Sequence, residues 1–186
     1  MPSPARLSYQ LRREDSPHLN CRRWLVGLSF VGSAAGMIVG LYQMGVLRRL
    51  PDLPVGPFDA TRVDASTYAY NRLQTPDGLL MAATYAVTAI LAGAGGWDRA
   101  RENPALPLAL AAKTLYDAAT ALKLGQEEWA ENKALCGYCQ TATLASLASV
   151  ALPEAVEALR HLQGDRDARP ALWNVKASRQ ADSKPL

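Results

Sequence analysis

The sequence predicts an all-α fold, a four-helix transmembrane bundle. Three observations carry the prediction. Charges gather in the two tails and in short interior stretches, leaving four segments nearly free of charge between them. The first of these, "WLVGLSFVGSAAGMIVGLYQMGVL" (Trp24 to Leu47), has no charge over 24 residues; at about 1.5 Å per residue it spans a hydrocarbon core of roughly 30 Å with some tilt. Within it Gly32, Gly36 and Gly40 recur every four residues on one helix face, the small-residue surface by which membrane helices approach closely. Overall composition is neutral on the question: 49% hydrophobic and 20% charged residues fit a soluble protein equally well.

The N-terminal tail, residues 1–23, is polar, with five arginines (Arg6, Arg12, Arg13, Arg22, Arg23), and is expected on the surface, helical only near its end. Residues 24–162 form the membrane domain. After segment one, residues 48–77 make a proline-rich outer loop with Pro51, Pro54, Pro57 and Pro76. Loops of this length are often functional, and a short helix is expected around Ala65 to Asn71. Segment two, Gly78 to Trp97, is uncharged and ends in glycines and an interfacial tryptophan. Segment three, Ala105 to Leu124, carries Lys113 and Asp117, i and i+4 on one face and able to pair. Charges at that depth face a bundle interior or each other. They are either a self-neutralising packing pair or a buried polar site. Residues 125–135 are a polar loop or a helical continuation. Segment four runs from Cys136 to about Leu152, Pro153 interrupts it, and a charged tail occupies residues 163–186. Segments three and four are only weakly apolar, so a soluble alanine-rich bundle is the alternative architecture.

Four spans put both tails on one side. Arginines there (five in the N-terminal tail, Arg99 and Arg101, Arg160, Arg166 and Arg169) favour a multi-pass protein of the cell inner membrane with both termini cytoplasmic. The long loop and the cysteine pair then share the outer face, where disulfides are permitted. The net charge of +3 is spread over the tails without an aromatic-bearing basic stripe, so nucleic acid is not an expected partner.

The chain has three cysteines, Cys21, Cys136 and Cys139. The stretch "LCGYCQTATLASLASVAL" sets two of them three apart at the mouth of a helix. Zinc needs three or four protein ligands, and Cys21, His18 and His161 fall on the wrong side of the four-span topology, so no metal is expected. A c-type haem requires His after the second Cys, where Gln140 stands. A redox dithiol fits better: a helix N-terminus favours the thiolate, the species that attacks disulfides and electron acceptors. At the outer mouth of a membrane bundle such a pair points to electron exchange with a lipid-soluble quinone. An inert disulfide, or two inherited thiols, is the alternative. Cys21 is expected to be a lone thiol.

Between Arg23 and Leu162 the chain resembles the vitamin K epoxide reductase family. The Cys-x-x-Cys opening the fourth segment matches that family's pair, and "VDASTYAYNRLQTPDGLLMAATY" is similar to its first outer loop, with Ser66, Tyr68, Pro76, Gly78 and Tyr85 at matching positions. The resemblance implies a four-helix membrane bundle around a quinone pocket, the quinone being ubiquinone or menaquinone. It implies Cys139 as the deeper, quinone-facing sulfur and Cys136 as the sulfur nearer the surface that exchanges with an incoming thiol. Ser66, Tyr85 and Thr143 become pocket residues; Thr143 stands where the family often has a tyrosine. One departure is large. The family's loop carries two shuttle cysteines, one six residues before the Ser; that position is Ala60, and no cysteine occurs between Arg22 and Leu135. Either a thioredoxin-like protein on the outer face reaches Cys136 directly, or the chain is a non-catalytic accessory subunit of a larger membrane complex.

Overall fold

Cap chemistry sets the helix boundaries. In the computed structural model, which describes residues 3–51 and 56–151, a first helix α1 covers Pro4–Arg13, with Ser3 accepting from the Arg6 N–H. The second, α2 (Pro17–Gln43), starts seven residues before the apolar run does. Ser16 caps it, accepting from the Leu19 N–H at 3.2 Å, and Pro17 occupies the first helical position, where a missing N–H costs nothing. It ends where Gly45 turns left-handed at φ 77°.

The expected outer loop is ordered where it is described. It holds a 3₁₀ turn over Thr67–Tyr70, where a short helix was expected around Ala65 to Asn71, and before it a short helix α3 (Ala60–Asp64) that was not expected. Asp59 caps α3 by accepting from the Arg62 N–H at 2.9 Å. The helix α4 spans Asp77–Gly93, a single turn α5 spans Arg99–Glu102, and α6 runs from Ala105 to Asn132. The polar stretch after segment three is thus a helical continuation, two turns beyond the apolar part. Lys133, at φ 50°, then breaks the helix in a left-handed conformation and swings the chain into α7 (Gly137–Val150). The expected end of segment four at Leu152, its interruption by Pro153 and the charged tail 163–186 lie outside the described residues.

The architecture is all-α, and among the described residues the one β feature is a parallel bridge between Phe58 and Leu135. Four long helices, α2, α4, α6 and α7, pack side by side. The glycine face works as the sequence implies. A Cβ on Gly36 would stand 2.7 Å from the Ala82 backbone N and 2.8 Å from the Gly78 carbonyl, and one on Gly78 would stand 2.5 Å from the Gly40 N. Helices α2 and α4 therefore touch backbone to backbone. Opposite the loop, two buried arginines grip the C-terminal end of α4. Arg22 donates to the carbonyls of Ala92 (2.8 Å) and Gly96 (2.7 Å), and Arg99 to those of Leu91 (2.6 Å) and Ala94 (2.7 Å), satisfying carbonyls a helix end leaves orphaned.

The outward faces are apolar. Phe30 on α2, Ile90 on α4, Tyr116 on α6 and Leu144 on α7 are each about two-thirds exposed, a distribution that suits lipid better than water. Among the described residues α2 is the one helix long and apolar enough to cross a membrane by length and composition, with a mean hydropathy of 1.8 over its best window. Helix α4 is apolar but shorter. The four expected spans are unequal, in line with the weakly apolar character of segments three and four, and Lys113 and Asp117 interrupt the apolar run of α6. These two pair as the i, i+4 spacing requires. The Lys113 ammonium also donates to Thr84 Oγ1 (2.9 Å) and Thr88 Oγ1 (3.2 Å), which ties α6 to α4.

Candidate functional site

The site forms where the loop crosses the start of α7. Backbone hydrogen bonds flank the Phe58–Leu135 bridge: the Asp59 N–H donates to the Leu135 carbonyl (3.0 Å) and the Leu135 N–H to the Pro57 carbonyl (2.9 Å). This register lays α3 directly over Cys136. Ala60 and Val63, fully buried, share one core cluster with Cys136, Ala134, Leu50 and Val39. Cys136 is 0% exposed. It was expected nearer the surface than Cys139; instead the loop covers it, and Cys139 is the partly exposed member of the pair.

Cys136 is itself the N-cap of α7. Its Sγ accepts from the Cys139 backbone N–H at 3.3 Å, so the sulfur takes the place a serine oxygen usually fills. The hydrogen bond from Cys139 and the positive end of the helix work toward the thiolate, but burial and the neighbouring Asp64 carboxylate outweigh them and push the Cys136 thiol up. The Cys136 N–H in turn donates to a carboxylate oxygen of Glu128, and Gln140 Nε2 reaches the other oxygen at 3.4 Å. Glu128 stands one turn past Leu124, beyond the apolar part of α6, and is 3% exposed. Burial, with Asp64 and Asp77 nearby, pushes its carboxyl up to about 7.

Asp64, the last residue of α3, is 1% exposed. The Cys139 thiol points at its Oδ1, 4.0 Å away. One Asp64 carboxylate oxygen and the two sulfurs all lie within 4.8 Å of one another. A closed structural zinc site takes four such donors, and this cluster has three.

Beneath the cluster lies a cavity of ≈ 210 Å³. Asp64, Glu128 and Cys139 stand on its wall, Leu80, Met81 and Ala142 give it apolar surface, and Thr84 and Asp117 lie farther in. At its mouth Arg72 pairs with Glu127 (3.1 Å) and lies over the Tyr68 ring, 4.9 Å from the ring centre. Tyr68 donates to the Leu124 carbonyl at 2.9 Å, and burial raises its hydroxyl to about 12, so it is a neutral donor at all ordinary pH.

The structure brings Cys136, Cys139, Thr143 and Tyr85 together and leaves Ser66 apart. Thr143 lines the cavity, its hydroxyl donating back to the Cys139 carbonyl at 2.9 Å. Tyr85 also lines it, but its hydroxyl donates to the Ala142 carbonyl and meets Ser146 Oγ at 2.7 Å, fastening α4 to α7. Ser66 donates to the Val63 carbonyl at 2.6 Å, closing the end of α3, and is not on the cavity wall. Sequence reasoning missed Asp64, Glu128 and Arg72. Asp64 had one signal: it lies on the Ala60, Val63, Asp64 face of a helical turn, and an acid in phase with two apolar residues is an anomaly.

The family model described as the vitamin K epoxide reductase family matches residues 23–153. No curated protein and no solved structure matches the chain. The matched span runs from the first apolar helix through the cysteine pair and takes in the loop that covers it. A helical membrane fold with a redox function follows for the chain, which belongs to the vitamin K epoxide reductase family.

Proposed function

We propose that the protein is a multi-pass inner-membrane thiol–disulfide oxidoreductase, with four spans and both termini cytoplasmic, coupling Cys136 and Cys139 to a membrane quinone. The observation that carries this is the placement of Cys139: its sulfur faces an apolar-walled cavity, with Cys136 beside it at the N-terminus of α7. The cavity fits the ring of a quinone. Its ≈ 210 Å³ exceeds the roughly 150 Å³ that admits benzene, and most of its exposed wall is apolar, with polar groups both at the sulfur end (Asp64, Glu128) and farther in (Thr84, Asp117).

A bound quinone supplies a two-electron acceptor that also takes up two protons. The chain's residues do the rest. Cys136, with helix N–H groups around its sulfur, is the more readily ionised of the pair and closes the disulfide onto Cys139. Glu128 fixes the Cys136 backbone and, with its carboxyl near 7, exchanges a proton at neutral pH. Leu80, Met81 and Ala142 keep water from that wall of the cavity. Re-reduction needs a partner thiol at Cys136, and a thioredoxin-like protein on the outer face fits that role. Because α3 covers Cys136, the loop must lift before a partner thiol reaches it.

The test is thiol titration in purified protein with a short-chain ubiquinone or menaquinone analogue. Quinone-dependent loss of both thiols, abolished by Cys139→Ser, supports the proposal. Retention of both thiols under excess quinone refutes it and returns the chain to the accessory-subunit reading. Side-specific labelling that finds the pair on the cytoplasmic side refutes the topology.

A further inference from the structure

Asp64 has no part in the chemistry assigned above, yet it is the buried carboxylate against the reacting sulfur. Three facts converge on it. The Cys139 thiol is directed at its Oδ1. It sits on the cavity wall on the side of α3, opposite the helix that carries Cys139. It is 1% exposed, and one of its carboxylate oxygens lies within 4.8 Å of both sulfurs. We propose that Asp64 is the general base of the reaction, taking the proton from Cys139 Sγ as the dithiol is oxidised. This rests on the quinone-linked reading.

The step balances as follows. Both S–H bonds break and one S–S bond forms between Cys136 and Cys139. The electron pair and the two protons end on the quinone, which becomes quinol. Asp64 receives the Cys139 proton first, so the sulfur reacts as thiolate, and passes it on to the acceptor's oxygen across the cavity they share. It ends the cycle as the carboxylate it began as. The charged and titratable groups around it are the two thiols of the α7 N-terminus, Glu128 of α6, Asp77 at the start of α4, and Tyr68, Tyr70 and Arg72 of the loop. Of these, Asp64 is the one whose carboxylate accepts from the Cys139 thiol.

The experiment measures quinone-dependent thiol oxidation as a function of pH in full-length protein, comparing wild type with Asp64→Asn and Asp64→Glu. General bases contribute 10²- to 10⁴-fold, so Asp64→Asn is expected to slow oxidation about 100-fold or more at pH 7. The deficit should shrink roughly tenfold per pH unit as hydroxide ionises the thiol in place of the missing base. Asp64→Glu should keep a large part of the rate. Should Asp64→Asn fail to fold, Asp64→Ala with added formate replaces it, and rescue by formate is the expected result. A deficit of the same size at every pH, or no rescue by formate, overturns the role of Asp64 while leaving the oxidoreductase standing. Wild-type protein that quinone does not oxidise overturns the oxidoreductase reading itself, and the base with it.

Discussion

Glu128→Gln offers a direct test of the electrostatics under the cysteine pair. The carboxyl is 3% exposed and bonded to the Cys136 N–H, and burial carries it from 4.5 to about 7. A carboxyl raised in the folded state holds its proton more tightly folded than unfolded. Below about pH 4.5 both states are protonated and nothing is lost. Between 4.5 and 7 the unfolded chain releases the proton while the folded chain keeps it, so stability falls as pH rises; above 7 the whole loss is present. At about 1.4 kcal/mol per pH unit the displacement corresponds to about 3 kcal/mol. Glutamine keeps an acceptor for the Cys136 N–H and removes the charge. The variant should match wild type within about 1 kcal/mol at pH 5 and exceed it by about 2–3 kcal/mol at pH 8. At 2–4 °C per kcal/mol for a chain of this size, that is a Tm gain of about 5–10 °C at pH 8. The assay is thermal unfolding in detergent at the two pH values with both thiols reduced. A Tm difference that does not change with pH refutes the burial argument.

Three further outcomes follow from the packing. Ala60→Cys should form a disulfide with Cys136, because the Phe58–Leu135 bridge places both side chains in one buried cluster; mass-tagging of free thiols with and without reductant detects it, and two persistently free thiols there would refute the register. Gly78→Ala drives a Cβ to 2.5 Å from the Gly40 N and 2.9 Å from the Gly36 carbonyl oxygen, and since these two atoms are backbone the cost should lie near the upper end of about 1–3 kcal/mol; unfolding in detergent measures it, and an unchanged melting temperature would contradict the close approach. Lys113→Met leaves Asp117 buried without its cation and should cost about 3–5 kcal/mol, most of it recovered in the double variant with Asp117→Leu; failure of the second change to restore stability would mean that Asp117 is held by something other than Lys113.

Periodicity and charge spacing made the helices legible. The glycine ladder of α2 announced its close contact with α4, and the i, i+4 pair Lys113 and Asp117 announced its own bond, because both are rules of a single helix surface. The cysteine pair opening α7 was readable for the same reason: a Cys-x-x-Cys at a helix start places the first sulfur at the cap by local geometry alone. Start points were less visible. Helix α2 begins at Pro17 because Ser16 and Pro17 supply a cap, although the apolar run starts seven residues later.

What one chain of letters determined, then, is the four long helices, the glycine seam and the sulfur that begins α7, all of them settled by neighbours within a few residues; the short helices α1, α3 and α5 were not among them. Tertiary structure decided the rest. The burial of Cys136 beneath Ala60 and Val63, the arrival of Asp64 beside Cys139, and the bond from Glu128 to the Cys136 N–H all depend on where the loop crosses α7. Asp64 and Cys139 are 75 residues apart in the chain. The pairing of Phe58 with Leu135 holds the loop in that register, and nothing in the local sequence of either partner specifies it.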